Sequence, residues 1–338
     1  METRKVQLVG GATFTVSLPR AWADKAGLKP SSQVYLLEQN DGSLIIYPKY
    51  VPLEKREITI VTSPDEGGTL LARKIIAAYL DGYNNLKVKS RGRLTYDQLK
   101  EVEDFVKRMS GLEVVEETPE FISINALVSA TDFPVERGFQ RAHLITSLMY
   151  QEAMNALKSN DIELAKSVIL RDGDVDRIYF LVARQLRAAV SNPSLSKALG
   201  LDTLDAIDYL TAIKRVEDTA DSIENVAKMV ESLYVNKISI PQSLLDEVVT
   251  IGSESFKSYD AGVKSFLSKD PLLAERALSG RGEVEKMRCE LEGKLAAQKQ
   301  LLVLHLGVIL INLRNVAYFG GDIAEAAINR SVRAKEVK

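Results

Sequence analysis

The sequence of 338 residues predicts a multidomain α+β protein, and three observations indicate this. Residues 1–50 contain only short alternating strands, whereas residues 51–130 alternate between strands and amphipathic helices. From residue 131 onward the strand signals stop, and long helical periodicities repeat one pattern twice. We therefore expect a small β domain at 1–50, a small α/β domain at 51–130 and an all-α duplicated three-helix domain at 131–338.

Composition narrows the class of protein. The net charge of −2 gives no global attraction to nucleic acid or anionic lipid, so any such binding needs a local patch. Cys289 is the single cysteine, which excludes an internal disulfide and a cysteine-rich metal site. No apolar run approaches the roughly 18 residues of a membrane span. We expect a cytoplasmic protein that does not insert into a membrane.

The first domain is predicted to consist of two small hairpins. Gly10 and Gly11 mark a turn between the first two strands, and a short helix follows Pro19 and ends at Gly27. Strands this small cannot bury a core alone, so the unit is expected to dimerise. The predicted strands are Arg4–Val9, Thr13–Leu18, Gln33–Leu37 and Leu44–Tyr47.

The second domain is predicted to be a connector or an oligomerisation module. Its first strand is not followed by a glycine-rich phosphate loop, since PDEGG lacks the spacing and the Lys-Ser/Thr of a P-loop. Thr95 is the expected N-cap of its second helix. The pattern predicts strands at 58–62, 86–88, 112–117 and 121–129, with helices at 69–83 and 95–109.

The third domain contains an internal repeat. Residues 157–178 align without gaps on residues 266–287, and Asp161 and Asp270 stand at equivalent helix starts as N-caps. The pattern predicts three helices in each copy, so we expect two tandem three-helix bundles over about 133–232 and 240–332. The predicted helices are 134–158, 161–190, 203–232, 242–268, 270–298 and 300–331.

Four acidic residues interrupt the apolar pattern of the first copy. Asp172 and Asp176 fall on a helix face that is otherwise apolar, and Glu217 and Asp221 are i, i+4 neighbours at the edge of the next helix's apolar arc. Carboxylates in a core need an arginine, a shared proton or a metal. Four carboxylates would suit iron, manganese, magnesium or calcium better than zinc. Alternatively, the helices are turned so that the acids face solvent.

Histidines argue against two classes of enzyme. A di-iron bundle oxidase needs Glu-x-x-His motifs, but Gln140 and Leu302 precede His143 and His305 by three residues. No Gly-x-Ser-x-Gly nucleophile elbow accompanies these histidines. We therefore expect two satisfied helix histidines in a regulator, not an enzyme.

The acidic motifs carry a resemblance to PhoU-family phosphate-signalling proteins. VEDTADSIENVAK resembles the family's Glu-x-x-x-Asp signature, RDGDVDRI looks like its second-helix motif, and LRNVAYFGGDIAEAA is similar to its final signature. The resemblance covers about 133–332. It implies a duplicated six-helix bundle that binds metal through Asp172, Asp176, Glu217 and Asp221. It also implies control of phosphate uptake through an ABC transporter and its signalling partners.

The second copy departs from the family pattern. Arg314 and Tyr318 stand where the motif has Glu and Asp, and Arg281 replaces the equivalent of Asp172, leaving Glu285 as the acid. Arginines at ligand positions would repel a cation and could pair with Glu285 instead. We expect one metal site, in the first copy.

The string GGATFTVSLPRAWADKAGLKPSSQVYLLEQNDGSLIIYP resembles AbrB-type DNA-binding domains. The resemblance implies a swapped-hairpin homodimer that binds DNA through Arg4, Lys5 and Arg20. Residues 1–50 hold six basic and four acidic side chains, a local charge of +2. Ala23 and Asp24, however, stand where that family often has a basic pair.

Together these resemblances, which in one chain look like an archaeal arrangement, predict a transcriptional regulator of phosphate transport. One alternative is a dimeric module that binds no DNA and acts directly on the transporter or on signalling proteins. Another alternative is a metal-storage protein or a metal-dependent enzyme. The lack of a general base or nucleophile beside the acids argues against it.

Overall fold

The computed structural model describes residues 2–38, 42–49, 56–128 and 133–336, and the chain divides into two units, 1–55 and 56–338. The multidomain α+β class is confirmed. The predicted boundaries at 50/51 and 130/131 fall outside the described residues.

The first unit contains two separate antiparallel hairpins and one short helix. Gly10 and Gly11, with φ of 64° and 78°, form the turn of the first hairpin. None of the described residues of this unit is buried, and Phe14 is 74 % exposed. A lone copy therefore has no core of its own. The elements are β1 (Gln7–Val9), β2 (Thr13–Thr15), α1 (Arg20–Lys25), β3 (Tyr35–Glu38) and β4 (Leu44–Tyr47).

The second unit begins with a four-stranded sheet in the order β5-β6-β8-β7. Strands β5 and β6 are parallel, while β8 runs antiparallel to both of its neighbours. The two helices of this part, at 68–80 and 96–108, share one core with the sheet. Leu71, Phe105 and Val88 are buried in this core. The elements are β5 (Arg56–Thr62), α2 (Gly68–Leu80), β6 (Tyr83–Ser90), α3 (Tyr96–Arg108), β7 (Leu112–Glu117) and β8 (Phe121–Ala126).

The predicted cap of α3 is confirmed. The Thr95 hydroxyl accepts a hydrogen bond from the Gln98 amide, and the Gln98 side chain accepts one from the Thr95 amide. This reciprocal capping box satisfies two backbone donors that the first turn of a helix leaves unpaired.

Seven helices form the rest of the unit. Asp161 and Asp270 cap two of them as predicted, each accepting hydrogen bonds from two backbone amides. The short helix α6 was not predicted; it begins with Asn192 as N-cap and ends at Gly200. The helices are α4 (Val135–Ser159), α5 (Ile162–Ser191), α6 (Pro193–Leu199), α7 (Thr203–Val235), α8 (Gln242–Ser268), α9 (Pro271–Leu295) and α10 (Gln300–Glu336).

The tandem pattern had suggested two separate bundles, one for each repeat. In the structure the two repeats instead pack together. Helix α7 of the first repeat packs against α10 of the second, and one continuous core spans both repeats. The reason is that α7 and α10 each bury residues on more than one face, such as Ile213 and Val226 on α7 and Leu310 and Ile323 on α10.

Helix α10 explains the hydropathy of the C-terminal region. Among the described residues, the stretch 300–333 is long and apolar enough to cross a membrane, but half of its most apolar window is buried inside the protein. It contacts α7, α8 and α9. Its composition is therefore accounted for largely by its central position in a helical core.

Helix α5 also holds the α/β part in place. Phe180 packs against the α/β core, and the buried Arg184 guanidinium donates to the backbone oxygens of Tyr79 and Tyr83, the latter at 2.8 Å. Arg184 also lies 4.6 Å from the centre of the Tyr79 ring. The same helix thus contributes to both cores.

Glycine makes the closest helix contact of the second repeat. A Cβ on Gly320 would lie 2.4 Å from the Tyr259 Cα on α8, a backbone atom that cannot easily move.

We expect Gly320→Ala to destabilise the protein by about 1–3 kcal/mol through overpacking. Gly282→Ala is the matched control, because nothing lies within 4 Å of a Cβ at that helical position. The control should be neutral or stabilising by up to about 1 kcal/mol, since alanine favours helix more than glycine. Urea unfolding of both variants measures this; equal stabilities would contradict the close contact.

Candidate metal centre

Three carboxylates meet between α5 and α7. Asp172 and Asp176 lie one turn apart on α5, and Asp221 faces them from α7. One oxygen of each carboxylate lies within 4.8 Å of the others. The neighbouring α5 residues Val168 and Val175 are fully buried, so the sequence placed the two aspartates on the correct face.

Burial and mutual repulsion make this cluster costly without a counter-ion. Burial, followed by the charges of Asp176 and Asp221, raises the pKa of Asp172 to about 8. Burial likewise raises the pKa of both Asp176 and Asp221. Asp172 Oδ1 is buried and has no hydrogen-bond partner among the described residues. An orphaned carboxylate oxygen in an acidic cluster is the feature that a bound cation would satisfy.

Glu217 lies in a second acidic group that shares Asp221. Its oxygens, with those of Asp218 and Asp221, also fall within 4.8 Å of one another. The Lys214 ammonium contacts Glu217 and lies 2.8 Å from Asp218 Oδ1. Burial nevertheless raises the pKa of Glu217 to about 7, outweighing the opposite effect of Lys214. The structure therefore gives Glu217 an ammonium partner of its own.

Two residues of this centre were not predicted from the sequence. Asp218 stands three residues before Asp221, and Lys214 stands three residues before Glu217, spacings that bring side chains together on a helix. The i, i+3 spacing was the available signal in the sequence, beside the i, i+4 spacing of Glu217 and Asp221.

The donor set fits a hard divalent or trivalent cation. Every candidate ligand atom is a carboxylate oxygen, as magnesium, calcium, manganese and iron accept, whereas zinc favours nitrogen and sulfur. In the described structure, no cationic group lies at hydrogen-bond distance from Asp172, Asp176 or Asp221. Glu217 is next to these three residues, held by Lys214.

Ion pairs occupy the equivalent positions of the second repeat. Arg314 Nε lies 3.0 Å from Glu285 Oε2, as the sequence suggested. Arg281, however, does not pair with Glu285 but lies 3.0 Å from Asp322 and 3.1 Å from Glu325. A Cβ at position 321 would collide with the Arg281 side chain, so Gly321 makes room for it.

The pairs of the second repeat also reach the first repeat. Arg215 Nε lies 2.9 Å from Asp322 Oδ2, while its NH1 lies 2.9 Å from Asp218 Oδ2. Arg215 therefore connects an acid of the first repeat with an acid of the second. In the second repeat, arginine guanidinium groups supply the positive charge between the helices.

The histidines are satisfied helix residues, as predicted. His143 Nε2 lies 3.3 Å from Asp260 Oδ1, and its Nδ1 lies 3.4 Å from the Tyr259 hydroxyl. His305 Nε2 lies 2.9 Å from the Ser232 hydroxyl. Neither histidine belongs to the acidic cluster.

The three predicted DNA-binding residues lie on the surface of the first unit. Arg4 pairs with Glu2, and Arg20 Nε is 3.6 Å from Asp24 Oδ2. Lys5 is exposed beside Arg4, just before β1. Arg20 is the first residue of α1.

A duplicated six-helix core with an acidic cluster between α5 and α7 defines a helical bundle of the PhoU type. The PhoU domain family model matches residues 139–230, which include the whole cluster. Residues 7–52 match a second family model, described as antidote-toxin recognition MazE, bacterial antitoxin. Two separate parts of the chain, residues 7–52 and 139–230, are therefore similar to known families.

Solved structures that are similar to this chain include two PhoU proteins. The phosphate transport system regulatory protein PhoU from Streptococcus pneumoniae is 16 % identical, with a TM-score of 0.48 over 57 % of this chain and 91 % of that one. PhoU from Pseudomonas aeruginosa is 18 % identical, with a TM-score of 0.49 over 59 % of this chain and 96 % of that one. No curated protein matches the chain.

The ion pairs of Glu285 predict a pH dependence of stability. Hydrogen bonds from Arg288, supplemented by Arg314, lower the pKa of Glu285 from 4.5 to about 2. A carboxylate with a depressed pKa stabilises the fold fully above pH 4.5, and the stabilisation disappears as the pH falls toward 2.

The Glu285→Gln protein should therefore have a lower free energy of unfolding than the unsubstituted protein at neutral pH. This difference should vanish as the pH falls from 4.5 toward 2. Because Glu285 is one-third exposed, the difference should stay below about 1 kcal/mol. Unfolding titrations across this pH range test it. Glu103→Gln is the control, since the Glu103–Lys107 pair on α3 is exposed. A pH-independent difference for Glu285→Gln would contradict the assignment.

Proposed function

We propose that this protein regulates phosphate transport: its PhoU-type bundle binds a hard cation, and its AbrB-like unit engages DNA as a homodimer. The observation that carries the proposal is the match of residues 139–230 to the PhoU domain, which encloses the acidic cluster. The protein would act in the cytoplasm as a negative regulator, without catalysing a reaction.

Asp172, Asp176 and Asp221 would hold the cation. The buried Oδ1 of Asp172, which has no partner among the described residues, supports this role, because a bound cation would supply one. Glu217 would be a fourth ligand if its carboxylate were released from Lys214. A bound cation would offset the repulsion among these acids and join α5 to α7.

Dimerisation is supported by the exposed apolar side chains of the first unit. Val6, Leu8, Phe14 and Leu36 are all more than half exposed, and no described residue of this unit is buried. A second copy would supply the missing core and double the local charge of +2 contributed by residues 1–50. Arg4, Lys5 and Arg20 would then contact phosphates from both copies.

The alternative function is a dimeric module that acts directly on the phosphate ABC transporter or on signalling proteins without binding DNA. Asp24 favours it, because this acid pairs with Arg20 and stands where the AbrB-like pattern often has a basic residue. In that case the first unit would only hold two bundles together.

The regulatory role can be tested in cells. Loss of the gene should raise phosphate uptake under phosphate-rich growth, and the intact gene should restore repression. Unchanged uptake and unchanged transcription of the transporter genes would contradict both the proposal and its alternative.

The metal site predicts opposite effects of one substitution with and without metal. Asp172→Asn should lower the metal content of protein purified without chelator, as measured by plasma mass spectrometry. Wild-type protein should gain thermal stability on addition of Mn²⁺, by about 2.7 kcal/mol at a hundredfold excess over Kd, and Asp172→Asn should not. In chelator, Asp172→Asn should be the more stable protein, since the wild type must on folding either protonate Asp172, whose pKa is raised to about 8, or keep it ionised among the other carboxylates.

Glu285→Gln serves as the control because Glu285 is the equivalent of Asp176 in the second repeat and is paired with Arg288 and Arg314. Its metal content should equal that of the wild type. Undiminished metal in Asp172→Asn, or anomalous scattering that located metal beside Arg314, would refute the site.

DNA binding predicts a salt-dependent effect of three basic residues. Neutralising Arg4, Lys5 and Arg20 together should weaken binding to the gene's own upstream region and flatten the salt dependence by roughly 0.9 per lost phosphate contact. Mobility shifts at two salt concentrations measure both quantities.

The control neutralises three exposed lysines of the bundle, Lys158, Lys166 and Lys264, and should leave binding unchanged. Full affinity in the triple variant of the first unit would place the DNA surface elsewhere. No binding by the wild type at low salt would favour the alternative function.

A further inference from the structure

The α/β part approaches the acidic cluster at the C-terminal end of α3. This helix packs against α5, which carries Asp172 and Asp176. Phe180, one turn after Asp176, packs against the α/β core, and Met109, the residue that follows α3, is buried in the same core. Arg108, the last residue of α3, is therefore brought toward the Asp176 end of the cluster.

The electrostatics of Asp176 agree with this placement. Burial and the charge of Asp221 raise the pKa of Asp176. The cationic side chains of Lys214 and Arg108 act on this pKa in the opposite direction. An opposite charge has this effect when it is near enough to favour the ionised carboxylate. The Arg108 guanidinium therefore acts on the cluster from outside the helical bundle, beyond hydrogen-bond distance.

The two cationic side chains differ in what else they bind. Lys214 contacts Glu217 and lies 2.8 Å from Asp218 Oδ1, so other acids hold its ammonium. Arg108 is exposed and makes no ion pair with any described residue. Its Nε donates to the Asp104 backbone oxygen of its own helix at 3.2 Å. The Arg108 guanidinium is therefore the positive charge near the cluster that no other acid has engaged.

A positive charge beside a carboxylate cluster has two opposite effects. It stabilises the ionised acids when no metal is present, and it repels a cation that approaches them. An arginine side chain is long and keeps its charged end mobile at a surface. Such a side chain can compensate the empty cluster and turn toward solvent when a metal ion takes its place.

We propose that Arg108 sets the cation affinity of the acidic cluster: the α/β part supplies it as a counter-charge to Asp176 when no metal is bound, and a bound cation displaces it. This role rests on the proposed metal site. By linkage, the factor by which Arg108 weakens cation binding equals the factor by which a bound cation weakens the hold of Arg108 on the cluster. The α/β part is thereby coupled to the occupancy of the site.

The test is a charge series at position 108 in the full-length chain. Mn²⁺ affinity is measured by isothermal titration calorimetry after chelator has removed resident metal. Arg108→Gln should bind Mn²⁺ about threefold or more tightly than the wild type, Arg108→Glu more tightly still, and Arg108→Lys as the wild type does. The differences should shrink in about 1 M salt, where charges are screened beyond about 3 Å.

Lys107→Gln is the matched control. Lys107 also lies in the last turn of α3, so its charge interacts equally with the helix dipole, but its ammonium pairs with Glu103 at 3.2 Å. Its Mn²⁺ affinity should equal that of the wild type. In chelator, Arg108→Glu should unfold at a lower temperature than the wild type, since it adds a like charge near Asp176.

The outcomes separate this proposal from the proposed function. Mn²⁺ binding that Asp172→Asn abolishes, but that has one affinity in the wild type, Arg108→Gln and Arg108→Glu, refutes the role of Arg108 and leaves the metal site intact. An equal gain in Lys107→Gln, or weaker binding in Arg108→Gln, also overturns the proposal. Absence of Mn²⁺ binding from the wild type and from every variant at position 108 refutes both.

Discussion

The need to compensate half-buried carboxylates between α5 and α7 is a constraint on the construction of the bundle. Asp172, Asp176 and Asp221 crowd into one small region, and their pKa values rise because burial removes the water that would stabilise their charges. Ionised groups in such a place destabilise a fold unless a counter-charge is present. Lys214 compensates the neighbouring acids Glu217 and Asp218. No cationic group of the described residues lies at hydrogen-bond distance from Asp172, Asp176 or Asp221.

The two repeats meet the same problem with different chemistry. In the second repeat the counter-charges are covalently part of the chain, as Arg281 lies against Asp322 and Arg314 against Glu285. A guanidinium is larger than a metal ion, so this solution needs space, and Gly321 provides it. The first repeat keeps smaller acidic side chains at the equivalent positions. The counter-charges of the second repeat are therefore permanent, whereas in the described structure Asp172, Asp176 and Asp221 of the first repeat have none at hydrogen-bond distance.

Much of this arrangement could be predicted from the sequence, because the relevant signals are local. Helical periodicity placed Asp172 and Asp176 on a buried face, and the capping residues Thr95, Asp161 and Asp270 marked helix starts correctly. Contacts between distant segments were harder to foresee. Periodicity within one helix does not reveal that α7 packs against α10, nor that Arg281 reaches α10 instead of Glu285 on its own helix. Helix α6 was missed because seven residues are too few to show a period.

The Arg184 side chain also affects whether the α/β part could be separated from the helical bundle. The last carbonyls of a helix have no partner within it, and here Arg184 of α5 donates to the Tyr79 oxygen at the end of α2. The bundle therefore caps a helix of the α/β part, and Phe180 fills part of that same core. Separation of the two parts would leave the Tyr79 oxygen with the Gly82 amide as its remaining donor, and it would expose part of the apolar core at once. An α/β part inherited as an independent module would thus require a substitute for α5.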